Sequence, residues 1–156
     1  MDTNENCEYE KIKNYRNCLS DWMNDYNWEW FISLNLPNGN IENTENLLKK
    51  WRCKMCSENH IQICYVGHII NSKITGHHVH LLMSGKNKDR KTLLDMDKYQ
   101  WKKEWGKITH RNCDIQFIKD DGVIDYMNKG KNTPHNYSEM VNPYNIKLLK
   151  KYRKLN

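Results

Sequence analysis

Residues 60–84 read HIQICYVGHIINSKITGHHVHLLMS, and their pattern decides the fold. Two apolar, β-branched runs, His60 to Ile70 and Thr75 to Ser84, flank a polar turn at Asn71-Ser72-Lys73. That is the signature of an antiparallel hairpin. Along a strand, residues i and i+2 share a face. His78 and His80 therefore project side by side, while His77, Val79, Leu81 and Met83 project the other way. Facing residues of an antiparallel pair also share a face, and their numbers have a constant sum. A turn centred on Lys73 sets His68 opposite His78; a slip of two sets it opposite His80. Either register brings His68 to the face of the histidine pair.

The flanking sequence supplies the remaining elements. Residues 1–27 are polar, with Ile12, Tyr15, Leu19, Trp22 and Met23 at helical spacing, which predicts an N-terminal helical extension docked on a domain of residues 28–156. Trp28 to Leu36 is aromatic and β-branched and stops at Pro37-Asn38-Gly39, as a strand before a turn does. Thr44 to Glu58 sets Leu47, Leu48, Trp51 and Met55 on one helical face. After the hairpin come a helix over Asp89 to Gly106, a strand over Cys113 to Ile118, a helix over Val123 to Lys131, and a basic tail. The order βαββαβα predicts an α+β, ferredoxin-like domain, with a central antiparallel sheet and helices on one face.

Composition narrows the function classes. The chain has 156 residues, with Lys+Arg 25 against Asp+Glu 19, a formal charge of +6 that favours an anionic partner such as nucleic acid. No apolar run approaches the length of a membrane span. The polar, acidic start MDTNENCEYEK lacks the pattern of a secretory signal, so a cytoplasmic location with reduced cysteines is expected. Cys53 and Cys56 form a single CxxC inside a helical pattern, with no second ligand pair at zinc-finger spacing, and read as two small side chains on a helix.

Two constellations carry chemistry. The spacing of His78 and His80 suits one metal ion, although two histidines on a strand also serve as ordinary hydrogen-bonding side chains. On the last predicted helix, Tyr126 and Lys129 are neighbours on one face. A phenol with a pKa near 10 becomes an effective nucleophile when a metal polarises the electrophile and a nearby cation favours the phenolate. Tyr-x-x-Lys pairs are also common on helices in general.

Three segments occur in order: Phe31-Ile32-Ser33-Leu34-Asn35-Leu36-Pro37, His78-Val79-His80-Leu81-Leu82, and Val123-Ile124-Asp125-Tyr126-Met127-Asn128-Lys129. Together they resemble the motifs of the HUH endonucleases, specifically the small Rep proteins that initiate rolling-circle replication of plasmids and viruses. The first segment is similar to their F-x-T-L-T-x-P strand, with Ser33 and Asn35 where Thr is usual. The resemblance covers roughly residues 28–131 and implies a metal-dependent endonuclease on single-stranded DNA, at an origin or hairpin. It implies His78 and His80 as ligands for Mn²⁺ or Mg²⁺, with His68 where the family usually has Glu or Gln. It implies Tyr126 as a single nucleophile and Lys129 as its helper. Asn35 of the first motif and the lysines Lys49, Lys50, Lys150 and Lys151 are the expected nucleic-acid contacts. No GxxxxGK[ST] loop is present, so a host helicase and polymerase are expected partners, and a homodimer is one option for assembly.

Two other readings compete. The tyrosine transposases of small insertion sequences share the fold and the His-Val-His-Leu-Leu segment, but typically carry Gln four residues after the tyrosine, where this chain has Gly130. A non-catalytic single-strand-binding module of ferredoxin-like fold would use aromatics and lysines without chemistry; the RNA-recognition signature of that fold is absent from the sequence.

Overall fold

The computed structural model describes residues 10, 20–37, 43–72, 76–119, 122–124 and 137–154. Its elements are β1 (Trp30–Asn35), α1 (Thr44–Asn59), β2 (Ile61–Ser72), β3 (Gly76–Asn87), a 3₁₀ turn (Leu93–Asp95), α2 (Lys98–Thr109), β4 (Cys113–Phe117), β5 (Tyr137–Tyr144), α3 (Ile146–Leu149) and a closing 3₁₀ turn (Lys150–Tyr152). The five strands form one sheet in the order β4-β1-β3-β2-β5, with every neighbouring pair antiparallel. The α+β class is as expected. The order is not that of a four-stranded ferredoxin-like sheet, because a fifth strand lies outside β2.

Alternation along the strands divides the core in two. On one face, Trp30, Ile32 and Leu34 of β1 meet Val79, Leu81 and Met83 of β3, and Leu48, Trp51, Trp101 and Trp105 cover them from α1 and α2. Trp101 is the hub of this layer. Its ring stands edge-to-face with Trp30 at 5.3 Å and Trp51 at 5.6 Å, and its carbonyl accepts a 2.9 Å hydrogen bond from Trp51 Nε1. Such aromatic pairs contribute beyond their buried area, and the bonded indole N–H avoids the penalty of a stranded donor.

Helices were expected on one face only, but the second face is covered as well. Phe31, Cys64, Val66 and Leu82 pack there against Met23, Trp28, Ile124, Leu148 and Leu149. The basic tail is thus part of the fold. Its backbone clasps the segment before β1, with Asn27 N–H donating to Tyr152 O at 2.7 Å and Lys154 N–H to Asp25 O at 2.8 Å. Of the predicted N-terminal extension, residues 1–9 and 11–19 lie outside the described residues; residues 20–24 are helical, and Met23 is fully buried.

Two further departures have local causes. The predicted Asp89–Gly106 helix resolves into the 3₁₀ turn and α2. Thr92 and Asp95 close a capping box on the turn, and the Asp97 carboxylate accepts from Tyr99 N–H and starts the helix anew. The tail segment that becomes β5 is held from α1: Arg52 donates to Tyr65 Oη at 2.8 Å, its guanidinium lies 3.8 Å over the Tyr144 ring, and Tyr144 stacks on Tyr65 at 5.3 Å.

Because the tail closes the second core, Leu149→Ala should lower unfolding stability by about 2–5 kcal/mol, the usual range for a buried leucine. Urea denaturation checks it. A tail merely appended to the domain would leave the midpoint unchanged.

Candidate functional site

The β2–β3 register pairs His68 with His80, which is the slip-of-two alternative. Face assignment is unaffected, since an even slip preserves parity. The pairings of all five strands then give a row Asp114–Ser33–His80–His68–Met140 across the sheet. The next row runs Asn35–His78–Ile70–Ser138. The predicted residues Asn35, His68, His78 and His80 therefore occupy adjacent positions on three neighbouring strands.

Two contacts hold this patch from behind. Trp105 Nε1 donates to the Asn35 carbonyl at 3.0 Å and ties the end of β1 to α2. Gly67, beside His68, has its Cα against β3, and any Cβ there would fall on the His80 carbonyl oxygen, so glycine is required by close approach.

The imidazoles are arranged as donors. His78 and His80 have ring centres 4.8 Å apart. Two imidazoles binding one ion at about 2.0–2.1 Å through nitrogen would have ring centres roughly 4.5–5.2 Å apart, so the pair fits a shared metal. His78 is hydrogen-bonded to the Gly76 carbonyl, a contact of the kind that orients a ligand histidine through its other nitrogen. Burial pushes the His80 pKa down to about 4, helped by the neighbouring His78 and His68. Burial also lowers that of His78, with His77 adding to it against the Gly76 hydrogen bond. Both are neutral at pH 7, the state a metal ligand requires. Among the described residues, no three His, Cys, Asp or Glu side chains converge to hold an ion. The fit belongs to the pair, with buried His68 beside it in the same row.

The surroundings sort the other candidates. Phe31, one row below, stands edge-on to the His80 ring at 5.3 Å. Lys150 and Lys151 are exposed directly after Leu148 and Leu149, which pack on the histidine side of the sheet. Lys49 and Lys50 are exposed on α1, whose buried residues pack on the opposite side. Tyr126 and Lys129 lie outside the described residues. The chain before them is helical over residues 122–124, and Ile124 is buried in the same cluster as Phe31 and Leu82. Sequence reasoning passed over Ser33 as a member of the histidine row; the signal was its two-residue spacing from Asn35.

The depressed His80 pKa makes stability pH-dependent. In the unfolded chain this histidine protonates near the ordinary 6.5, and in the folded chain only near 4. Between those values the unfolded state binds more protons, so stability falls as pH drops from about 6.5 toward 4. Urea midpoints at pH 7.5 and pH 5 should show the loss, and His80→Gln should reduce it.

Among the described residues, no helix is long and apolar enough to cross a membrane. Comparison of the chain with protein-family models, curated proteins and solved structures found no match.

Proposed function

We propose that this chain is a metal-dependent endonuclease that nicks and rejoins single-stranded DNA through Tyr126, as an initiator of rolling-circle replication. The observation that carries the reading is the neutral His78–His80 pair, 4.8 Å apart on the face of the sheet that also bears His68 and Asn35. The split arrangement of the first four strands, with β3 between β1 and β2, supports a ferredoxin-like domain extended by β5. The burial of Ile124 beside Phe31 supports it further, because the chain enters the predicted tyrosine helix on the histidine side.

His78 and His80 would hold Mn²⁺ or Mg²⁺, with imidazole favouring the softer Mn²⁺, and the ion would polarise the scissile phosphate. Asn35 offers hydrogen bonds at the edge of the patch, and Lys150 and Lys151 neutralise flanking phosphates on the same side. The Tyr126 oxygen attacks phosphorus as its proton leaves. The new O–P bond replaces the P–O3′ bond, and the departing 3′ oxygen takes up a proton. One phosphodiester exchanges for another, so the 5′-phosphotyrosine can return the strand without ATP. Lys129 stabilises the developing charge. The free 3′-hydroxyl primes a host polymerase, with unwinding supplied by a separate helicase.

Incubation with single-stranded DNA and Mn²⁺ should yield a covalent adduct on a denaturing gel. EDTA should abolish it, as should His78→Ala or His80→Ala. Tyr126→Phe should keep DNA binding and lose the adduct, whereas Lys129→Ala should slow its formation. An adduct mapped to Tyr137 or Tyr144 would refute the assignment of the nucleophile.

A further inference from the structure

A cleft of about 470 Å³ opens where β4 ends at the sheet edge, a volume within the range of small-ligand sites. Phe31, Ile115, Ile118 and Val123 form apolar walls. Among the described residues its remaining lining is Gln116, Phe117 and two cations, Lys98 and Lys119. Lys98 Nζ lies 4.0 Å from the centre of the Phe117 ring, and that ring is still 44% exposed. An exposed aromatic on an edge strand, braced by one lysine and close to another, has no counterpart in either hydrophobic core.

Phe31 connects this cleft to the histidines. The same side chain that walls the cleft stands 5.3 Å from the His80 ring. Phe117 pairs with Trp30 and lies on the tryptophan side of the edge strand, so a strand whose phosphate lies at His78 and His80 would reach the cleft by passing Phe31 and turning over the sheet edge. The combination of planar apolar surface and cations suits a nucleotide, whose base has a π-face and whose phosphates are anionic. An acidic peptide would find the charges but waste the exposed ring, and an apolar ligand would leave the lysines unused.

Resting on the reading of single-stranded DNA as the ligand, we infer that the β4-edge cleft is a nucleotide subsite. Phe117 stacks on a base that has passed over the β4 edge, beyond the scissile phosphate, and Lys98 and Lys119 take the phosphates that flank that base. Stacking of this kind is tolerant of base identity, so the subsite adds affinity and positions the strand without reading its sequence.

The test is fluorescence anisotropy of a labelled oligo-dT with the full chain in EDTA, which separates binding from cleavage. Phe117→Ala should weaken binding about 5- to 100-fold, and Phe117→Trp should restore it. Replacing Lys98 and Lys119 together by Gln should flatten the log–log salt dependence by about 1.4, the slope expected for two single-strand phosphate contacts. Unaltered protein that binds while every variant binds equally well overturns the subsite and leaves the wider reading standing. Failure of the unaltered protein to bind at all overturns both.

Discussion

The pairing of β2 with β3 is the constraint on which the site depends. It runs from Ile61 against Asn87 to Ser72 against Gly76. A slip of one residue would send His78 and His80 into the layer of Trp51, Trp101 and Trp105 and expel Val79 and Leu81 to the other face. Burying imidazoles without partners while exposing aliphatic side chains would cost several kcal/mol. The apolar layer on one side thereby fixes which residues appear on the other. Gly67 reinforces the register, because its missing side chain lets β2 approach the His80 carbonyl.

The two faces of the sheet are covered to different extents. The tryptophan layer binds α1 and α2 to the sheet, and the Trp105 bond to Asn35 carries that rigidity through β1 to the edge of the histidine patch. The second face is closed by shorter pieces, namely residues 20–28, Ile124 and the tail, around Phe31 and Leu82. Its cover stops short of enclosing the histidines, which stay half-buried at positions 78 and 80. That intermediate burial lowers their pKa values yet leaves His78 and His80 partly accessible.

The hairpin and the His-x-His face were legible in the sequence because strand parity is a strict rule, and α1 because its apolar stripe is regular. Parity cannot distinguish registers two apart, so the pairing of His68 with His80 rather than His78 needed the structure. The restart of the helix at Asp97 was signalled by Thr92-Leu93-Leu94-Asp95, a capping-box spacing that a longer apolar pattern obscured. The strand β5 was not legible: Pro143 argues against a strand, and what holds it is the Arg52, Tyr65 and Tyr144 cluster, assembled from distant parts of the chain. The covering of the second face was hidden for the same reason, since Leu148 and Leu149 read as a basic tail until the chain folds back.

Net charge alone cannot say which cations would serve the proposed nucleic-acid path, but the layering separates them. Sheet and helix layers pack about 10 Å apart, and a helix is itself about 10–12 Å across. Lysines on the outer side of α1, such as Lys49 and Lys50, therefore stand well over 10 Å from the histidine face. The Debye length at physiological ionic strength is about 8 Å, so their field is largely screened at a phosphate held by His78 and His80. Lys150 and Lys151 follow residues packed on the histidine side, while Lys98, at the start of α2, and Lys119 line the cleft at the sheet edge. On the proposed reading, Lys150 and Lys151 are therefore the cations that share the side of the histidines, whereas Lys98 reaches the sheet edge from the tryptophan side. Under the proposed function, the lysines of the +6 chain thus divide into those on the histidine side, placed to hold a strand there, and those set across the tryptophan layer from it.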